Sequence, residues 1–227
     1  MRSNIIEIDL DQVPLRDTNR QLQTAESGSF RLHHPRGAHA LGAGLTQPIQ
    51  VTVAGHVGFY CAGMNQAASI AIEGHAGVGL AENMMSGEVR VTGNASQGAG
   101  ATGHGGLLVI EGDCASRCGI SMKGIDIVVG GSVGHMSAFM GQAGCLAVLG
   151  DAGPDLGDSL YEARLYVRGR VDSLGADCKE KDMTAHHLEK LARLLDRAKI
   201  RANAKDFRRY GSARRLYHFK IDNLDSY

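Results

Sequence analysis

Glycine recurs at an exact interval of 19 residues through the middle of this chain, without insertion or deletion over seven repeats. The seven positions are Gly55, Gly74, Gly93, Gly112, Gly131, Gly150 and Gly169. An aliphatic residue stands four positions before each glycine, and a second stands two positions before it, as in Ile70 and Ile72. Such period-2 alternation predicts one short strand per repeat with one buried face.

The residues after each glycine also form columns. The column two positions later is apolar: Val57, Ala76, Ala95, Cys114, Val133, Ala152 and Val171. The column seven positions later is always small: Ala62, Ala81, Gly100, Gly119, Ala138, Gly157 and Ala176. Small residues there predict a bend with closely approaching backbones. Between glycine and the apolar column lie mostly polar residues, from His56 to Arg170, which we expect to face solvent or a partner.

A repeat of 19 residues is too short to contain the crossover helix of a conventional parallel sheet. Each repeat must therefore be one coil of a stacked solenoid. The sequence predicts an all-β solenoid, a parallel β-helix of about seven coils. We expect it to be right-handed, because the left-handed form carries a hexapeptide repeat and 19 is not a multiple of six.

Both ends of a solenoid need a cover, and the sequence changes character at both ends. Residues 1–31 predict an N-terminal cap, with a strand at Ile6, Ile8 and Leu10 and a helix in DTNRQLQTA. Residues 32–178 predict the β-helix, and residues 179–227 a C-terminal helix and interface tail. In that helix Thr184 is the expected N-cap, and Leu188, Leu191, Leu195 and Ala198 share one face. The tail from residue 203 is expected to pack on another surface.

Charge and composition exclude several classes of function. Lys and Arg balance Asp and Glu at 24 each, which argues against nucleic acid or an anionic membrane as a partner. No apolar run reaches the roughly 20 residues of a membrane span, and no signal peptide is evident. Five cysteines do not suggest a disulfide framework. We therefore expect a cytoplasmic protein with reduced thiols.

The cysteines and histidines each have a structural interpretation. Cys114 and Cys118 fall in apolar columns and are expected to be buried, whereas Cys145 lies in a mainly polar column and is expected to be exposed. The histidine pairs His33-His34 and His186-His187 do not match the ligand spacing of a zinc site.

The remaining motifs are no more specific for a ligand. Gly98, Gly100 and Gly103 lack the strand and helix that a dinucleotide site needs. The basic tail residues Arg208, Arg209, Arg214 and Arg215 are expected at a protein interface or in solvent. We predict no catalytic, cofactor-binding or metal-binding residue in this chain and leave any role of Cys145 open.

The coils carry a resemblance to a known family. Segments such as "VGLAENMMSGEVRV" and "IEGDCASRCGISMKGIDIVV", with "RDTNRQL" before them, resemble the GXGXG-motif β-helix found as the C-terminal domain of the glutamate synthase large subunit. The likeness covers roughly residues 4–200. As a free-standing chain ending in "YGSARRLYHFKIDN", it is most similar to the small β-helix subunit of N-methylglutamate synthase.

The resemblance implies a structural, non-catalytic subunit. It would brace an amidotransferase-like subunit against a synthase subunit that carries FMN and an iron–sulfur cluster. The joint reaction would convert glutamate and methylamine to N-methylglutamate and ammonia. One alternative is the equivalent subunit of a split glutamate synthase, which uses glutamine and 2-oxoglutarate. Another is the β-helix subunit of a formylmethanofuran dehydrogenase-type molybdenum or tungsten enzyme. A third is a self-standing β-helix enzyme or carbohydrate binder, but only 11 aromatic residues are available to it.

Overall fold

The computed structural model describes residues 5–213 and shows a parallel β-helix. The coil strands are β2 (Ser29–His33), β3 (Gln50–Ala54), β4 (Ser69–Ile72), β5 (Glu88–Val91), β6 (Leu107–Ile110), β7 (Lys123–Val129), β8 (Ala143–Val148) and β9 (Arg164–Val167). The ends add β1 (Ile5–Asp9), α1 (Leu15–Thr24), β10 (Cys178–Lys181), α2 (Ala185–Arg197), a 3-10 turn (Ala204–Asp206) and β11 (Arg208–Ser212). The predicted solenoid fold is confirmed.

Strand register reproduces the sequence period. Val51 of β3 pairs with Ile70 of β4, which pairs with Val89 of β5, and this 19-residue offset continues to Leu165 of β9. The strand order is β1 to β9 followed by β11 and β10, and among the described strands the last two pairings, β9 with β11 and β11 with β10, are antiparallel. Identical columns therefore stack along the axis as continuous ladders.

The aliphatic ladders fill the interior of the coils. The paired columns of each strand are almost fully buried, for example Ile70 and Ile72 in β4 and Leu108 and Ile110 in β6. The apolar column after the glycine forms a second run of parallel bridges from Val57 to Val171. Burial of apolar area in these ladders is the main stabilising term of the fold.

The segment between that bridge and the next strand has an unusual backbone. In the first 19-residue coil Tyr60, Ala62 and Met64 all adopt left-handed conformations, with φ of 59°, 56° and 56°. The small column is the middle member of this trio, and it stays left-handed from Ala62 through Gly157. Alternate N–H groups bond to the coils on either side, as Tyr60 donates to the Val78 carbonyl and Ala62 to the Leu41 carbonyl. The bend predicted at the small column is therefore a repeated left-handed turn.

The N-terminal segment contains one strand and one helix. Strand β1 extends the sheet by pairing in parallel with β2, and α1 buries Leu22 at the end of the rod. Asn19 of α1 donates to the Ala40 carbonyl and accepts from the Gly42 N–H. These bonds satisfy backbone groups of the first loop, which an open terminal coil would leave unpaired.

Helix α2 lies on the outer face of the sheet. Its buried residues Leu191, Leu194 and Leu195 pack against an apolar patch on the outside of β6 to β9. The patch consists of Leu107, Val109, Val128, Cys145, Ala147, Leu149 and Tyr166. Arg90 of β5 donates to the Ala198 carbonyl at 2.7 Å, which fixes the end of the helix where its dipole is negative. Neither described helix is long and apolar enough to cross a membrane.

The region after α2 corrects one expectation. Instead of packing on another surface, residues 208–212 form β11, which pairs with β9 and β10 of the same chain and covers the last coil. Residues 214–227, including Arg214 and Arg215, lie outside the described residues.

Candidate functional site

The repeat glycines occur where coils stack most closely. A Cβ added to Gly74 would lie 2.7 Å from the Gly55 carbonyl carbon and 2.8 Å from His56 Nδ1. Most repeat glycines, including Gly74, do not have a positive φ, so close approach rather than backbone conformation demands glycine. The glycines therefore serve stacking. From Gly93 onward each repeat glycine donates its N–H to the carbonyl of the repeat glycine one coil earlier, as Gly93 does to Gly74 at 2.9 Å, so these N–H groups do not point to a phosphate.

A polar ladder runs beside the glycines, formed by His56, His75, Asn94, Asp113, Ser132 and Asp151, each directly following a repeat glycine. Each side chain accepts a hydrogen bond from the backbone N–H of the equivalent residue in the next coil, at 2.7 to 3.0 Å. We call this set the corner ladder. Its members are exposed or half-buried, as expected, but an acceptor atom of each is engaged in holding the stack.

The two histidines of the corner ladder have a fixed role. Nδ1 of His56 accepts from the His75 N–H, and Nδ1 of His75 accepts from the Asn94 N–H. The rings stack with centroids 4.9 Å apart. Because Nδ1 must carry a lone pair to accept, the ladder selects the tautomer protonated at Nε2. A metal ion bound at Nδ1, or a proton accepted there in general base catalysis, would displace this structural hydrogen bond.

The core cysteines are free and buried, as predicted. Cys61, Cys114 and Cys118 lie in the interior. Burial raises the pKa of Cys61 to about 12, and a hydrogen bond with Cys114, followed by burial, raises the pKa of Cys118 well above its ordinary value. Because the thiolate is the reactive form, the raised pKa values of Cys61 and Cys118 disfavour reactivity of these two thiols at neutral pH.

The prediction that Cys145 is exposed is wrong, because its side chain is only 1% exposed. Its column faces outward from the sheet, but at β8 the helix α2 covers that face. Burial, and next the charge of Asp126, raise the pKa of Cys145 to about 11. Positions in this column differ in burial because α2 does not cover every coil. Ser69 is exposed, whereas Cys145 is buried.

Beside Cys145 a cleft of about 350 Å³ opens between α2 and the sheet. Its charged groups are mainly paired, since Arg197 binds Asp126 at 3.0 Å and Arg193 binds Glu189. The nearby Tyr166 hydroxyl is buried without a hydrogen-bond partner among the described residues, and burial raises its pKa to about 12. The cleft therefore does not activate Cys145 as a nucleophile, because its surroundings raise the pKa of the thiol.

Among the described residues, one group of three side chains has metal-ligand geometry: Asp9, Asp11 and His34 at the N-terminal cap. His34 belongs to no zinc motif in the sequence, but in the structure its Nδ1 lies 2.8 Å from Asp9 Oδ1. This hydrogen bond raises the pKa of His34 and lowers the pKa of Asp9. Arg36 also binds Asp11, so the cluster is an exposed ion-pair network with its own cation.

The other motifs have structural positions too. Gly98 and Gly100 adopt left-handed turns with φ of 68° and 70°, outside any strand-to-helix context. Arg208 donates to the Gly169 carbonyl and Arg209 to the Asp182 carbonyl, so both basic residues bind this chain's own backbone. His187 bonds Thr184, which precedes α2 but makes no side-chain cap to the helix backbone.

Fold and site together define a parallel β-helix protein whose corner ladder holds successive coils together and whose cysteines are buried or, for Cys178, half-buried. No protein-family model matches the chain. Protein GlxC of Rhizobium meliloti (strain 1021) is 60% identical over 225 residues, covering 97% of this chain and 99% of that protein. At this identity and coverage the chain belongs to the GlxC family.

Proposed function

We propose that this chain is the structural β-helix subunit of a multi-subunit, flavin-dependent N-methylglutamate synthase. In this complex it holds an amidotransferase-like subunit against a synthase subunit that carries FMN and an iron–sulfur cluster. It supplies no catalytic residue itself. The observation that carries the proposal is the unbroken 19-residue solenoid, which is the part of the chain that resembles the glutamate synthase β-helix domain.

Family membership supports the proposal at the level of the whole chain. The match to the GlxC relative, at 60% identity over 97% of this chain, extends over the solenoid, both of its ends and the helix α2. A β-helix of this kind has to act through the surfaces that it presents, because its interior is filled by side chains.

The state of the polar groups also supports a structural role. Acceptor atoms of the corner ladder bind backbone N–H groups of the next coil. The thiols of Cys61, Cys118 and Cys145 have raised pKa values because of burial or hydrogen bonding. Groups of this kind stabilise a rod and are poorly suited to general acid–base or nucleophilic chemistry.

The test is purification of the chain at native abundance through a tag, followed by identification of the proteins bound to it. We expect an amidotransferase-like chain and a flavoprotein in constant ratio, with flavin absorbance that is missing from the isolated chain. A monodisperse, colourless protein that never associates with a flavoprotein would refute the proposal.

Activity of the purified complex identifies the nitrogen donor. We expect N-methylglutamate to form from glutamate and methylamine. Formation of glutamate from glutamine and 2-oxoglutarate would instead assign the chain to a split glutamate synthase. Molybdenum or tungsten in the complex would assign it to a formylmethanofuran dehydrogenase-type enzyme.

A further inference from the structure

A small cavity of about 200 Å³ lies where the first turn of α2 meets β9, β10 and β11, and we call it the basic recess. Four basic side chains line it, and all four are half-buried: Arg164, Lys181, His187 and Arg209. Among the described residues that line the recess, Glu162 is the one carboxylate. The recess therefore concentrates basic groups in a chain whose total charge is balanced.

Strand register brings these cations to one face of the sheet. Lys181 of β10 lies directly opposite Arg209 of β11, and Arg209 lies directly opposite Tyr166 of β9. Arg164 shares this outer face because it stands two positions before Tyr166 in the same strand. Like charges directly opposite each other destabilise a sheet. An anion bound beside Lys181 and Arg209 would therefore offset an unfavourable pairing.

The two guanidinium groups are not neutralised within the described part of the chain. Arg164 makes no hydrogen bond or ion pair there. Arg209 donates from Nε to the Asp182 carbonyl at 2.9 Å, and its other guanidinium nitrogens have no partner there. The cations Arg164, Lys181 and Arg209 face the single carboxylate of Glu162, so the recess has an excess of two positive charges at neutral pH.

The imidazole of His187 is affected by this positive charge. Burial, and next the charges of Arg209, His186, Arg164 and Lys190, lower the pKa of His187. All four of these neighbours are basic groups. An anion in the recess would act on His187 in the opposite direction.

Tyr166 provides an independent observation beside the recess. Its side chain is fully buried, and its hydroxyl has no hydrogen-bond partner among residues 5–213. Burial raises the pKa of Tyr166 to about 12, whereas the charges of Arg164 and Arg209 act to lower it, so the hydroxyl is near both guanidinium groups. Buried hydroxyl groups normally have a partner. An oxyanion held between the two arginines would supply the missing acceptor.

We propose that the basic recess binds a small dianion, either a dicarboxylate or a phosphate compound, through the guanidinium groups of Arg164 and Arg209. The planar fork of a guanidinium group suits both kinds of oxyanion. The excess of two positive charges matches a dianion, and the volume equals that of roughly six or seven water molecules at about 30 Å³ each. This site goes beyond the proposed function, because it is a property of this chain and needs no partner subunit.

Isothermal titration calorimetry on the full-length chain tests the site. Inorganic phosphate and succinate are the two probes, and potassium chloride at equal ionic strength is the control. We expect one saturable site per chain for at least one of the dianions, and the tighter probe identifies the class of oxyanion. Saturable binding of neither dianion up to about 10 mM, or a signal that chloride reproduces, would overturn the proposal.

Three variants with the same change of charge locate the site. Arg164→Gln and Arg209→Gln each remove a guanidinium group from the recess, whereas Arg193→Gln removes one from α2, where it pairs with Glu189. We expect the first two to bind the tighter probe at least about tenfold more weakly, because charge-assisted hydrogen bonds are lost, and the third to bind within about twofold of the wild type. Melting temperatures check that each variant is folded. Equal affinities in all three variants would contradict the assignment.

His187 provides a measurement that needs no change to the recess. Its imidazole resonances, assigned with a His187→Gln variant, are followed by NMR as pH is varied, with and without saturating probe. We expect the bound anion to raise the pKa of His187, because it offsets the neighbouring cations. The resonances of His56, in the first 19-residue coil, should not respond to the probe. An unchanged pKa of His187 at saturation would place the anion elsewhere and overturn the proposal.

The chain's own Asp222 and Asp225 are the competing source of carboxylates. A full-length chain with both Asp222→Asn and Asp225→Asn separates the two cases. We expect it to bind the probe with the same affinity as the wild type. Binding by this variant but not by the wild type would overturn the proposal, because the native chain would then fill the recess itself.

Discussion

Replacing Gly93 with Ala tests why glycine recurs every 19 residues. The new Cβ would lie 2.5 Å from His75 Nδ1 and 2.6 Å from the Gly74 carbonyl oxygen, whereas ordinary contacts of this kind exceed 3.4 Å. Either the coils separate, which strains the Gly93 N–H bond to Gly74, or His75 moves and releases the Asn94 N–H. Overpacking costs about 1–3 kcal/mol, and a lost hydrogen bond adds about 1 kcal/mol.

We therefore expect Gly93→Ala to destabilise the fold by about 2–4 kcal/mol, a fall in melting temperature of roughly 5–15 °C for a chain of this size. Differential scanning calorimetry measures it. The matched control is Gly98→Ala, because Gly98 has φ of 68° but nothing within 4 Å of an added Cβ. Left-handed strain alone costs about 1–2 kcal/mol. If Gly98→Ala lowered the melting temperature more than Gly93→Ala, close stacking would not be the reason for the repeat.

Other perturbations have equally definite outcomes. Ile110→Asp buries an unpaired charge in a central coil and should prevent folding, so soluble, assembled protein would refute the inward position of that column. Cys145→Ser should leave assembly and turnover intact, and complete loss of activity would show a role for the thiol. Leu194→Ala should cost about 2–4 kcal/mol and make Cys145 reactive to a thiol reagent at pH 8, because α2 covers it; unchanged reactivity would contradict this packing. The raised thiol pKa values stabilise the fold below pH 9, and this contribution is lost as pH rises from about 9 towards 12. Chemical denaturation should therefore show that the free energy of unfolding falls over this pH window in the wild type and falls less steeply in Cys61→Ala.

The stacking was predictable from the sequence because a parallel coil repeats one set of contacts. A column such as Val51, Ile70 and Val89 pairs with itself, so periodicity alone gives both register and burial. The expectation of an N-terminal cap has a related basis, since a terminal coil has an open edge that must be covered.

The positions that the sequence did not predict depend on contacts outside the repeat. Cys145 is buried by a helix about 45 residues later in the chain, and its column gives no sign of that. A signal was present in the neighbouring outward positions, where Thr52 and Arg90 of the first coils give way to Val109, Val128 and Tyr166. Likewise, the left-handed turns contain Tyr60 and Met64 as well as glycine, so residue type alone did not show their conformation.

We propose that this chain organises a complex without performing its chemistry. The most direct measurement is N-methylglutamate formation by the two partner subunits with and without this chain, alongside the chain alone. We predict that the isolated chain is inactive, that the partners alone form little product, and that adding the chain restores turnover at a fixed ratio of the three subunits. Full activity of the partners without this chain, or turnover by the chain alone, would contradict the account.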